Sequence, residues 1–95
     1  MTIETTVNGC AAVIRPDGWL DTQSAPELGE AVETLGEGVT EIELNMEKLE
    51  YISSAGLRQI VAIYKKVSHL TLTHVSDEIM DVLRMTGIDK RLEIK

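Results

Sequence analysis

Leu49-Glu50-Tyr51-Ile52-Ser53-Ser54-Ala55-Gly56-Leu57 is the stretch on which the fold turns. The strand before it ends in apolar residues, and the helix after it opens with small ones. Two hydroxyls, Ser53 and Ser54, therefore stand where a helix N-terminus leaves several backbone N–H groups unpaired. Capping accounts for one of them, since a serine oxygen that accepts an orphan N–H contributes about 1 kcal/mol. The crowding of Ser53, Ser54, Ala55 and Gly56 adds a second property. Small side chains leave the helix end sterically open, and an open N-terminus suits a phosphate. Beyond this point Leu57, Ile60, Val61, Tyr64 and Val67 recur at helical spacing and predict a buried stripe. Arg58, Lys65 and Lys66 lie off that stripe.

Upstream, Val39 to Met46 alternates, with Ile42, Leu44 and Met46 on one face and Glu41, Glu43 and Asn45 on the other, as in a strand. Before it, Ala25, Leu28, Ala31, Val32 and Leu35 keep a helical period. Ser24 with Glu27 is a capping-box pattern, Pro26 falls in the first turn, and Gly36 supplies a left-handed stop. At the start, Thr2 to Val7 alternates into Asn8-Gly9, a strong hairpin signal because both residues accept positive φ. Cys10 to Ile14 is the expected return strand, and Arg15-Pro16-Asp17-Gly18 is expected to end it. Cys10, among apolar neighbours, reads as a small core residue.

Downstream, Leu70 and Leu72 mark a short strand. Ser76 caps a third helix with Asp77 and Glu78 in its first turn, where negative charge is favourable. Ile79, Val82, Leu83 and Met85 are expected to pack inward, Gly87 stops the helix, and Leu92 to Ile94 is a candidate final strand. The order is β-β-α-β-α-β-α with a possible last β. It predicts one α/β domain over residues 1–95, with a mixed, mostly parallel sheet of four to five strands, an N-terminal hairpin and helices packed on the sheet.

Composition narrows the function. Sixteen acids against nine bases give a net charge of −7, which repels nucleic-acid backbones and anionic membrane surfaces. No apolar run approaches the roughly 20 residues of a membrane span, and no secretory signal opens the chain. A lone cysteine fits a reducing cytoplasm. His69 and His74 have no cysteine beside them, so no metal is expected, and no Gly-rich phosphate loop points to a nucleotide cofactor. Ser54, His74 and Asp21 can be written as a triad, but neither an elbow motif nor an oxyanion loop accompanies them. No catalytic residue is assigned.

The segment around Ser54 resembles the signature of STAS domains, particularly the bacterial anti-sigma factor antagonists. Tyr51-Ile52-Ser53-Ser54-Ala55-Gly56-Leu57 is similar to an aromatic or apolar pair followed by Asp or Ser, a phosphorylatable Ser, a small residue, Gly and Leu. Gly18-Trp19-Leu20-Asp21-Thr22 with Ala25-Pro26-Glu27 is similar to the family's Gly-x-Leu-Asp motif and helix opening. Met80 to Lys90 resembles its third helix and exit, so the likeness covers nearly the whole chain. Ser53 stands where many members have Asp, Ala55 replaces a hydroxyl residue, and Asn45 stands where Asp is common.

This resemblance implies a switch. The unmodified domain binds a serine-kinase anti-sigma factor and frees the sigma factor, phosphorylation of Ser54 (alternatively Ser53) abolishes binding, and a serine phosphatase restores it. The implied partner surface comprises Asp21, Thr22, Ser24, Ser53, Ser54, Ala55, Gly56 and Arg58. Asp21 also fits a plain turn aspartate, Thr22 and Ser24 fit helix caps, and Trp19 fits either an interface anchor or a cover for the hairpin. The alternative is an unphosphorylated STAS scaffold, or a subunit of a larger signalling or transport assembly. The expected state is a cytoplasmic monomer.

Overall fold

A computed structural model describes residues 1–67 and 69–95. Strands β1 (Thr2–Asn8) and β2 (Ala11–Leu20) form an antiparallel hairpin. Helix α1 (Ala25–Thr34), strands β3 (Glu41–Asn45) and β4 (Leu49–Ile52), and helix α2 (Ser54–Lys66) follow. Strand β5 (His69–Thr73), helix α3 (Asp77–Thr86), a 3-10 turn at Ile88–Lys90 and strand β6 (Glu93–Ile94) complete the chain. The main sheet runs β1-β2-β3-β5-β6, and β4 pairs with the far end of β2. Every pairing after the hairpin is parallel. The sheet thus has six strands, more than the four to five expected, because β4 is a strand in its own right.

Pro16 and Gly18 do not end β2, which corrects the sequence reading. β2 leaves β3 after Ile14 and meets β4 only at Gly18, so Pro16 lies between two parallel partners. Its missing N–H therefore breaks no ladder bond. Gly18, at φ 113°, carries the register shift by which the strand bends toward β4.

The hairpin turn also sits one residue later than expected. Asn8 pairs with Ala11, so Gly9 and Cys10 form the two-residue loop, with positive φ at Gly9 alone (65°). Cys10 is exposed at the tip and is not a core residue.

The core is aliphatic. Ile14, Leu20, Leu44 and Leu72 from the strands meet Leu28, Ile60 and Leu83 from the three helices, all fully buried. Helix α2 buries Gly56, Leu57, Ile60 and Ile63, whereas Val61 is half-buried and Tyr64 is exposed, contrary to expectation. In α3, Ile79 and Leu83 are buried and Val82 is partly so, but Met85 is 86% exposed. From Ile79 to Met85 the helix turns about 600°, which sets Met85 roughly 120° off the buried stripe.

Candidate functional site

Two adjacent parallel strands, β2 and β4, end side by side, with Leu20 opposite Ile52. The Ser53 N–H donates to the Leu20 carbonyl at 2.9 Å and so ties the start of α2 to the loop after β2. Asp21 and Ser53 are thereby the first residues past the carboxyl ends of neighbouring strands, the usual place for a site in an α/β sheet.

The two serines divide their roles. Ser53 has extended backbone (ψ 174°), and its Oγ accepts from the Gly56 N–H at 3.3 Å, so it is the N-cap. Ser54 is the first residue of α2, exposed, and its hydroxyl takes part in no hydrogen bond among the described residues. Capping therefore consumes Ser53 and leaves Ser54 Oγ free at the positive end of a 13-residue helix. The first turn of α2 holds no acid that would oppose added negative charge, and Arg58 is exposed one turn on.

The loop after β2 is fixed by Asp21 and Ser24. Asp21 Oδ1 accepts from the Ser24 and Gln23 N–H groups, each at 3.0 Å. The Ser24 N–H, more than any other contact, holds the Asp21 carboxyl below the usual carboxylate range; partial burial opposes it, and the Ser24 hydroxyl and Gln23 N–H assist. Ser24 is 6% exposed. Its hydroxyl donates to the Trp19 carbonyl at 2.6 Å and accepts from the Asp21 N–H at 2.9 Å. The expected capping box is absent, because Ser24 is itself in helical conformation and gives α1 no side-chain cap. The Asp21 carbonyl instead accepts from the Ala25 N–H.

Of the residues singled out from sequence, the fold thus brings Asp21, Ser53 and Ser54 together, with Ala55 half-buried beside them and Thr22 exposed in the same loop. Ser24 and Gly56 are buried and act from beneath: one locks the loop, the other lets α2 approach Leu20.

Two neighbouring features escaped the sequence reading. Trp19 lies on β2 and not in a loop; it pairs with Tyr51 of β4, ring centroids 5.2 Å apart and both rings about half exposed. The register of β4 alone reveals that pair. An open groove of about 500 Å³ also runs from Ser54 along α2, lined by Leu57, Arg58, Val61 and Lys65 against Thr86 and Ile88. The sequence carried no separate signal for it, because Val61 reads there as part of the buried stripe and only the structure shows it half-buried.

His69 opens β5 and His74 follows it at φ 53°. Among the described residues no three His, Cys, Asp or Glu side chains gather as metal ligands, and no helix is long and apolar enough to cross a membrane.

Known proteins resemble this chain in sequence and in fold. The anti-sigma-B factor antagonist of Staphylococcus aureus is 28% identical over 99 residues, covering 99% of this chain and 92% of that protein. The protein of the same name from Listeria monocytogenes is 30% identical over 84 residues, covering 82% and 73%. The structure of the Bacillus cell fate determinant SpoIIAA in its phosphorylated form superposes with a TM-score of 0.76 at 20% identity, covering 99% of this chain and 91% of that one. The STAS domain model matches residues 2–95. On that match over nearly its whole length, and on its 30% identity to the Listeria protein, the chain belongs to the STAS domain family, among the anti-sigma factor antagonists.

Proposed function

We propose that this chain docks onto a serine-kinase anti-sigma factor, releasing the sigma factor, and that a phosphate on Ser54 ends the complex. Anti-sigma factor antagonists bind anti-sigma factors, and the phosphorylated structure of SpoIIAA is that of a protein with this fold. The observation that carries the reading is the division of labour between Ser53, which caps α2, and Ser54, whose hydroxyl stays exposed and uncommitted. In the transfer the Ser54 oxygen attacks the γ-phosphorus of ATP on the kinase, loses its proton and leaves ADP behind. A serine phosphatase hydrolyses the ester and restores docking.

Charge alone can perform the switch. A phosphate adds about −1.5 to −2 charges at neutral pH. In the free domain the N-terminus of α2 and solvent accommodate them. In a docked interface the same charge is desolvated, and without a matched cation it costs on the order of 2–5 kcal/mol, about 30-fold to several thousand-fold in affinity. Asp21 strengthens the effect, because it is already anionic at the neighbouring strand end. Asp21, Thr22, Ala55 and Arg58 form the surface that meets the partner first, with Ser24 and Gly56 holding it in shape.

Incubation with the anti-sigma kinase and ATP, followed by peptide mass spectrometry, tests this reading. One phosphate on Ser54, lost in Ser54→Ala and kept in Ser53→Ala, is expected. A phosphate on Ser53, or none, would count against it. A phosphate that leaves docking intact would make the domain a scaffold subunit.

A further inference from the structure

The outer edge of β1 is built to pair, and we propose that it pairs with a second copy of this chain about a two-fold axis at Thr5. At the other edge of the main sheet β6 has two residues and is followed by Lys95, a short and charged edge that discourages pairing. β1 has seven residues, with no proline, no lysine and one charged side chain, Glu4. Among the described residues it bonds to β2 alone.

The free backbone groups can be assigned from the hairpin. Asn8 and Ala11 close a two-residue loop, so they are a hydrogen-bonded pair, as are Thr6 with Val13 and Glu4 with Arg15. The intervening residues Ile3, Thr5 and Val7 therefore direct their N–H and C=O groups away from β2, toward the open edge.

These residues are self-complementary. An antiparallel copy with Thr5 opposite Thr5 sets Ile3 against Val7 at both ends, and every outward N–H and C=O then has a partner. The side chains agree with that register. Ile3, Thr5 and Val7 lie opposite Pro16, Ile14 and Ala12, all buried, so they share the core face of the sheet. Val7 is nonetheless 52% exposed there, and the Ile3 of a second copy would cover it.

Charge permits the approach. Glu4 is held by Arg15 at 3.5 Å on the opposite face, and the two-fold register sets it across from Thr6 and not from another Glu4. The net charge of −7 on each copy opposes association, so the dimer should tighten as salt rises. An interface of one strand edge falls in the weak, reversible class. The expectation of a monomer, drawn from sequence, is replaced by this proposal.

Sedimentation velocity in reducing buffer, from micromolar to millimolar protein, tests it without any partner. The wild type is expected to form a reversible dimer that strengthens with salt. Thr5→Asp and Thr5→Lys, each placing like charges opposite one another, should each raise the dissociation constant more than about tenfold. Thr5 is exposed, so unchanged circular dichroism is expected for both. Mixing the two variants should restore the dimer, because Asp then faces Lys. A wild type that stays monomeric, a Thr5→Asp variant that dimerises as the wild type does, or a mixture that fails to associate would each overturn the proposal.

Discussion

A β-carbon added to Gly56 would meet both the Cγ and the carbonyl oxygen of Leu20 at 2.8 Å, so only glycine lets α2 begin against the end of β2. Neither neighbour can yield. Leu20 is fully buried, and its carbonyl already accepts from Ser53. Gly56→Ala is accordingly expected to destabilise the protein by about 1–3 kcal/mol through overpacking. Gly38 has open space around it and no positive φ, so Gly38→Ala should be close to neutral. Urea denaturation of both variants checks this, and equal midpoints would contradict it.

Asp21 sets a pH dependence. Its carboxyl is held below the usual range, chiefly by the Ser24 N–H. A lowered folded value means that the contribution to stability is fully present above the unfolded value, about 3.9, and is lost as pH falls through the folded one. Stability should therefore drop on acidification below about pH 4, and Asp21→Asn should flatten that part of the profile. In Ser24→Ala the lost hydroxyl should move the Asp21 titration, followed by NMR, part of the way back up. An Asp21 that titrates at the ordinary value would contradict the geometry.

Trp19 and Tyr51 should be energetically coupled. Their rings lie 5.2 Å apart at 42°, on neighbouring strands. A double-mutant cycle through Trp19→Ala and Tyr51→Ala is expected to return about 0.5–1.5 kcal/mol of coupling. Additive effects would mean that the exposed pair contributes nothing beyond its two separate contacts.

Cys10 offers a direct check of the hairpin register. At the turn tip it should react with a thiol reagent in the native protein at nearly its unfolded rate. Strong protection would place it back in the sheet.

Periodicity made most of this architecture legible. The three helices and the strands β3 and β5 stand where apolar spacing and turn residues place them, and the hairpin is shifted from its expected turn by one residue. Local patterns could not decide between competing stripes on α2, where Leu57, Ile60, Val61, Ile63 and Tyr64 satisfy a helical period in more than one way. The stripe that is buried comprises Gly56, Leu57, Ile60 and Ile63, with Gly56 set against Leu20, and Tyr64 is exposed although it lies within about 20° of Leu57 around the helix. β4 was hidden because four residues are too few to show alternation, and its partner is the far end of a strand that Pro16 and Gly18 seemed to terminate. At the site, Ser53 and Ser54 were identifiable as a pair, but nothing local says which one caps. Ser24 misled for a related reason: its hydroxyl bonds backward to Trp19 and not forward into α1, a tertiary choice that a capping pattern does not contain.

The most direct test of the central claim is the affinity of one anti-sigma factor for this protein before and after stoichiometric phosphorylation of Ser54. The account predicts a dissociation constant raised by about 30-fold or more, with the far-ultraviolet circular dichroism of the free domain unchanged. An unaltered dissociation constant would contradict it.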